Sequence, residues 1–468
     1  MENHVVCVPF PAQGHIRPML KLTQLLHFKF EFSITFINTH HIHQTLFKNH
    51  HRSPEDDDPK DILSAINSIV TNKLELPLKE LLVTKLLDNY NSNSDCLQPR
   101  VSCMISDVGM SSFTLRVAEE LGIRAVLLET ASACSLLAYF HCRQLLDKGI
   151  IPLQDQSCLT NGYLEKSIDW ISSLKRISLK DMPSFIRTLN PNDMNHMMLN
   201  IVMSNAHRAL KSEAILINTF DALEQHALED LSTIFPNIHP IGPLNLMVDH
   251  HISKKDTINS GPLMNSNEYM KWLDSQEPKS VLYVSFGSLV GVDQETFIEL
   301  AWGLANSLTK FLWIVRSDQV IEKSCTIEFN RFKEEINGRG VLVTWCDQEQ
   351  VLAHPSIGGF FTHCGWNSTI ESISYGVPMI CWPSAADQLI NSWYCCNCLG
   401  IGMKMSEHVK RDYVERVVKE LMETKNGKEM GTKAAKWRNI AIEATMSSHG
   451  SSYDNLKKVV NNVIKVHQ

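Results

Sequence analysis

Short runs of consecutive apolar residues recur along the chain, each followed by a longer segment with apolar positions three or four residues apart. The runs Val5–Phe10, Phe32–Ile37, Val101–Ser106, Ala125–Leu128 and Ala214–Asn218 predict strands in the first half. In the second half Val281–Phe286, Phe311–Val315, Val341–Thr344, Gly358–Thr362 and Pro378–Cys381 do the same. These runs are continuously apolar rather than alternating, which is the pattern of parallel strands covered on both faces. Between them the spacing predicts helices over Met19–His27, Ser111–Leu121, Glu295–Ser307 and Ser368–Tyr375. Strand–helix alternation throughout predicts an α/β protein with two doubly wound halves. From Pro243 to Asn267 the apolar period is lost and Asn, Ser, Asp and His accumulate, which predicts a linker. Lys48–Lys60, with three consecutive aspartates, reads as an exposed loop. In the last segment, Tyr453–Val466, the residues Leu456, Val459, Val460, Val463 and Ile464 form one helical face that must dock on another element.

Length agrees with that division, since 468 residues correspond to two or three domains. Lys and Arg number 44 against 51 Asp and Glu, a net charge of −7 without a basic block, which argues against a nucleic-acid or anionic-membrane binder. No apolar run approaches the roughly 18 residues of a membrane span. The amino-terminal MENHVVCVPFPAQGHI lacks the basic region of a signal peptide and reads as a buried strand. The 13 cysteines are scattered and odd in number, as in a reducing compartment, so a cytoplasmic protein is expected. Cys395, Cys396 and Cys398 cluster, but no second Cys/His pair accompanies them at zinc-binding spacing, and no metal site is expected.

Three familiar signatures are absent: the phosphate-binding G-x-x-x-x-G-K-[ST], the dinucleotide G-x-G-x-x-G after a strand, and the G-x-S-x-G elbow. The strongest positive signal is GGFFTHCGWNSTIE at Gly358–Glu371, a strand, a turn carrying His363 and Gly365, and a helix start. Ser368 to Glu371 has capping-box spacing, which predicts a helix beginning near Asn367 or Ser368. Unpaired N–H groups there suit an anion, with a plain strand–helix junction as the alternative. His15, in PFPAQGHIRPM at the first strand's exit, is a candidate general base, although alone it reads as a turn cap. Asp107, directly after VSCMIS, alone reads as a helix N-cap. If the two come from neighbouring strands, the carboxylate can hold the imidazole and stabilise its protonated form.

Trp345–Gln388, WCDQEQVLAHPSIGGFFTHCGWNSTIESISYGVPMICWPSAADQ, resembles the donor-binding signature box of plant UDP-dependent glycosyltransferases of secondary metabolism. The P-x-Q-G-H-I motif, Ile241–Leu244, Trp272–Ser288 and Phe311–Arg316 match the same family, so the resemblance covers nearly the whole chain. It implies a GT-B fold of two Rossmann-like domains facing across a cleft. Residues 1–242 would bind the acceptor, 243–267 would link the domains, 268–450 would bind the UDP-sugar, and 451–468 would return to the first domain. It implies Trp345 stacked on uracil, the Cys346 backbone at the base edge, and Gln348 and Glu371 on the ribose. His363, Asn367, Ser368 and Ser288 would hold the diphosphate. Trp366, Asp387 and Gln388 would hold the sugar, with Thr130 reaching it from the other domain, and the terminal Gln of the box suggests glucose. The ribose role of Glu371 competes with its capping-box reading.

The implied reaction is inverting O-glucosylation of a small apolar plant metabolite (terpenoid or iridoid, cyanohydrin or phenolic), with His15 as base and Asp107 orienting it. No metal or other cofactor is implied beyond UDP-glucose as co-substrate. The expected partners are that donor and a small-molecule acceptor, with no nucleic acid, no integral membrane segment and a monomeric chain. Three departures stand out. Asp347 replaces a usual Pro and reads as harmless. Glu129 replaces a usual aromatic, where it would accept ligand hydroxyls or turn to solvent. The third strand and I-P-D-G that relatives carry after the Thr39–Lys48 region are missing. That last departure leaves a rival, a UDP-sugar-binding homologue with little turnover. An oxidoreductase is a third reading, and it lacks a glycine fingerprint.

Overall fold

The computed structural model describes residues 3–39, 73–87, 101–256, 266–287, 293–315, 323–406 and 408–465, with single positions 64, 66, 68, 69 and 71. The Lys48–Lys60 loop, the site of the missing third strand, and Ser288 lie outside the described residues. The chain divides into two compact units: described residues within 3–256 and 441–465 form the first, and those within 266–440 the second.

The first unit contains a parallel sheet of β1 (His4–Val8), β2 (Ser33–Phe36), β3 (Val101–Asp107), β4 (Arg124–Glu129), β5 (Ala214–Ile217) and β6 (Ile238–Pro240), in the order β2-β1-β3-β4-β5-β6. Successive side chains point to opposite faces, and here both faces are dry. Val5, Cys7 and Ile105 enter one core with Met19, Leu22 and Leu25, while Val6, Val8 and Met104 enter another with Phe113 and Val117. Two buried faces explain the uninterrupted apolar runs. The short β6 escapes the pattern because it is an edge strand of three residues that includes Pro240.

Part of the stretch read as a linker is a helix, Leu244–His251, whose Leu244, Met247 and Val248 enter the first unit's core. Their i, i+3, i+4 spacing is helical, but intervening Asn, Asp and His residues mask it. Thr445 secures its end. Thr445 Oγ1 lies 2.9 Å from His250 Nδ1, and His251 Nε2 donates to the Thr445 carbonyl at 2.8 Å. The last helix, Ser451–Val459, continues as a wider turn to Ile464 and buries Leu456, Val459, Val460 and Ile464 in the same core.

The second unit's parallel sheet contains β7 (Val281–Ser285), β8 (Lys310–Ile314), β9 (Gly340–Val343), β10 (Ile357–Thr362), β11 (Met379–Cys381) and β12 (Gly402–Lys404), in the order β12-β11-β10-β7-β8-β9. Leu282, Val284, Trp313 and Phe361 pack against Phe297, Leu300 and Leu304 of the helix Gln294–Asn306 and against Val414 and Val418 of the helix Arg411–Glu423. In each sheet the strand order reverses at one crevice, between β1 and β3 in the first and between β7 and β10 in the second. Doubly wound sheets bind ligands at the carboxyl ends of strands flanking such a reversal. Among the described residues no helix is long and apolar enough to cross a membrane.

Candidate active site

The first crevice brings His15 and Asp107 together. His15 lies in the first turn of the helix Gln13–Gln24 after β1, and Asp107 is the last residue of β3. His15 Nδ1 lies 2.8 Å from Asp107 Oδ2 and 2.8 Å from Thr130 Oγ1, just beyond β4. A neutral imidazole with its hydrogen on Nδ1 gives it most strongly to the carboxylate, because a charge-assisted bond outweighs one to a hydroxyl. Nε2 then keeps its lone pair and can receive a proton. The Asp107 side chain is 2% exposed and that of His15 36%, so the carboxylate is sheltered while the imidazole meets solvent. Asp107 Oδ1 accepts from Gly109 N–H at 2.7 Å, so the aspartate also caps the short turn Val108–Met110. Its two suggested roles use different oxygens.

Two carboxylates and a hydroxyl brace the loop that carries Thr130. Glu129 is buried rather than turned to solvent, and its Oε1 accepts from Ala131 N–H at 2.9 Å. Ser132 caps the helix Ala133–Asp147 by accepting from Ser135 N–H at 3.1 Å. Glu224, fully buried, accepts from Ala133 N–H at 3.0 Å and Cys134 N–H at 2.8 Å. Burial raises the Glu224 pKa, and the N–H donors oppose that rise. Nothing in the run of residues around Glu224 announces this long-range cap.

At the second crevice β10 leads through His363 and Gly365 into the helix Trp366–Tyr375. Gly365 occupies the N-cap, so Ser368 lies inside the first turn and the capping-box reading of Ser368–Glu371 does not hold. Packing around the His363 ring lowers its pKa to about 4, which keeps it neutral at pH 7. A Cβ on Gly365 would stand 2.5 Å from His363 Nε2, and one on Gly287 would stand 2.7 Å from it. Only glycine leaves the imidazole its place. Cys364 adopts a left-handed φ of 63°, and Asn391 Nδ2 holds it by donating to its carbonyl at 3.1 Å.

Asn391 Nδ2 also donates to Asp387 Oδ2 at 2.9 Å, which orients one predicted sugar ligand. In Gln388 the side-chain Oε1 accepts from the N–H groups of Ser384 and Ala385 at 2.9 and 3.1 Å. Gln348, Ser368 and Glu371 meet directly: Gln348 Nε2 donates to Ser368 Oγ at 3.0 Å and to Glu371 Oε2 at 2.7 Å. Asp347 is more than a neutral replacement for Pro: it caps the helix Gln348–Ala353 by accepting from Gln350 N–H at 3.1 Å. Trp345 and Asn367 are partly exposed, whereas Cys346 and Trp366 are buried, so little of the Trp366 ring is open to a ligand. Sequence reasoning overlooked Asn391, Glu224 and Tyr283. Tyr283 alone left a signal, as a hydroxyl in the middle of an otherwise apolar strand. Among the described residues no group of three or more His, Cys, Asp or Glu side chains is arranged to hold a metal ion.

Solved structures with this architecture include plant glycosyltransferases. One is that of Phytolacca americana UGT2 complexed with UDP-2-fluoro-glucose and pterostilbene, similar at a TM-score of 0.76 and 28% identity over 98% of this chain and 99% of that one. The fold is therefore GT-B, with two Rossmann-like domains. Residues 27–436 match the family described as UDP-glucoronosyl and UDP-glucosyl transferase. The chain is 46% identical to a 7-deoxyloganetin glucosyltransferase of Catharanthus roseus, covering 98% of this chain and 96% of that protein. It is 43% identical to an (R)-mandelonitrile beta-glucosyltransferase of Prunus dulcis, covering 99% and 97%. The chain belongs to this family and is a UDP-glycosyltransferase.

Proposed function

We propose that this protein is a cytoplasmic, inverting O-glucosyltransferase that moves glucose from UDP-glucose to a hydroxyl of a small apolar plant metabolite. Terpenoid or iridoid alcohols, cyanohydrins and phenolics are the acceptor classes. The observation that carries the reading is the 2.8 Å contact between His15 Nδ1 and Asp107 Oδ2 at the first sheet's reversal point. His15 Nε2 takes the acceptor's hydroxyl proton, and Asp107 offsets the charge of the resulting imidazolium. The acceptor oxygen bonds to the anomeric carbon as the bond to the diphosphate oxygen breaks, and that electron pair leaves with UDP. Attack opposite the leaving group turns an α-linked donor into a β-glucoside. In the second unit, Glu371 and Gln348 serve the ribose, Trp345 and Cys346 the base, and Asp387 and Gln388 the sugar. His363, Asn367, Ser368 and Ser288 serve the diphosphate, whose charge is met by a helix N-terminus and neutral N–H donors without a metal ion.

The glucosyltransferase names of the relatives support the donor, and their iridoid and cyanohydrin substrates support the acceptor classes. The test is mass spectrometry of reactions containing purified protein, UDP-glucose and a panel of such acceptors, followed by proton NMR of any product. A hexosyl adduct with a β-anomeric coupling is expected. An α-coupling would refute inversion. The rival, a UDP-sugar binder without turnover, predicts UDP binding with no adduct. The paired His15 and Asp107 favour turnover, since binding alone gives no use for a sheltered carboxylate on a ligand-facing base.

A further inference from the structure

Tyr283 sits in mid-strand on β7, 1% exposed, its ring stacked on Phe360 with centroids 4.8 Å apart. A phenol in such a place needs a partner for its hydroxyl. Its Oη donates to Gln348 Oε1 at 3.1 Å and lies 3.3 Å from Cys346 Sγ. The single phenolic hydrogen is spent on Gln348, so the thiol is the donor in the second contact. The order therefore runs from the Cys346 thiol to the Tyr283 hydroxyl to the Gln348 amide. With its oxygen held by Tyr283, that amide must turn its nitrogen the other way, toward Ser368 Oγ and Glu371 Oε2. A flipped amide would set its carbonyl oxygen against the Glu371 carboxylate, two acceptors facing each other. Burial pushes the Tyr283 pKa well above its ordinary value, so the hydroxyl remains a donor.

We propose that Tyr283 is a positioning residue for the nucleoside of the donor: by fixing the Gln348 amide, it aims the Glu371 carboxylate at the ribose hydroxyls. This rests on the assignment of Gln348 and Glu371 to the ribose. Both amide hydrogens of Gln348 are given to protein atoms, so its contribution to the ribose runs through Glu371. Tyr283, which also touches the Cys346 side chain, reaches the ribose through Gln348 and Glu371 in turn.

The test is calorimetric titration of UDP and of 2′,3′-dideoxy-UDP into the wild type, Tyr283→Phe, Gln348→Ala and the double variant, with Tm measured on each. Tyr283→Phe keeps the stacked ring and should keep Tm within a few degrees. It should weaken UDP about fivefold, the equivalent of one hydrogen bond of about 1 kcal/mol, and leave dideoxy-UDP nearly unchanged. In the Gln348→Ala background it should add nothing, and in kinetics it should raise the donor KM without lowering kcat. Equal weakening of both nucleotides, additivity with Gln348→Ala, unchanged UDP affinity, or a variant that does not fold would each overturn the proposal. Failure of the ribose assignment looks different: the wild type itself would bind the two nucleotides equally, or neither.

Discussion

Asp107→Asn is the most informative single change at the first crevice. The asparagine side chain has the same shape, and its oxygen can still accept from Gly109 N–H, as Asp107 Oδ1 does at 2.7 Å. Its amide nitrogen then faces His15 Nδ1, where the carboxylate oxygen stands at 2.8 Å. Two donors cannot meet, so the imidazole must put its lone pair on Nδ1 and its hydrogen on Nε2, and the base is lost. The charge term adds to this. A unit charge about 4 Å from the imidazolium at an effective dielectric of about 20 is worth about 4 kcal/mol, or about a thousandfold in rate. Together the two effects predict a fall of about 10³ to 10⁴ in kcat, comparable to the loss of the buried aspartate in a catalytic triad. Initial rates measured by chromatography would give kcat, and calorimetry the UDP affinity, which should stay within about twofold because the residues proposed for the nucleotide belong to the other unit. A loss of kcat below tenfold, or a parallel loss of UDP affinity, would refute the reasoning.

Other changes probe the remaining parts of the two crevices. Gly365→Ala places a Cβ 2.5 Å from His363 Nε2, so the imidazole must move; UDP binding should weaken more than about tenfold, with little loss of secondary structure by circular dichroism. Glu224→Ala leaves the buried N–H groups of Ala133 and Cys134 without their acceptor, a cost of about 3 kcal/mol, and should lower Tm by roughly 6–12 °C. His363 has its folded pKa lowered to about 4, so its share of stability is complete above its ordinary value and is lost as pH falls toward 4. Between pH 7 and pH 5 the wild type should therefore lose about 2 kcal/mol more than His363→Asn, read as a larger drop in Tm. Chelation with EDTA should leave the transfer rate unchanged, and a loss restored by a divalent cation would contradict a metal-free site.

Much of the architecture is legible along the chain because it depends on local pattern. Continuous apolar runs such as Val5–Phe10 and Val281–Phe286 mark strands buried on both faces, and the spacing of Leu456, Val459, Val460 and Ile464 marks a helix that must dock. His15, Asp107 and the Gly358–Glu371 turn were also visible, each at a strand's carboxyl end. Elements whose stability comes from their surroundings were not visible. β6 and β12 span three residues each and exist because a neighbouring strand pairs with them. The helix Leu244–His251 carries a weak apolar period and is held by the core it enters. Side-chain partnerships are the clearest case. By itself the sequence determined which residue types stand where each strand ends, since strand and turn propensities are local. Only the tertiary structure decided that Asp107 meets His15 across 92 positions, that Glu224 caps a helix 90 residues away, and that Gln348 turns from Tyr283 to Glu371. Such contacts are set by strand order and register in the folded sheet, which no stretch of neighbouring residues encodes.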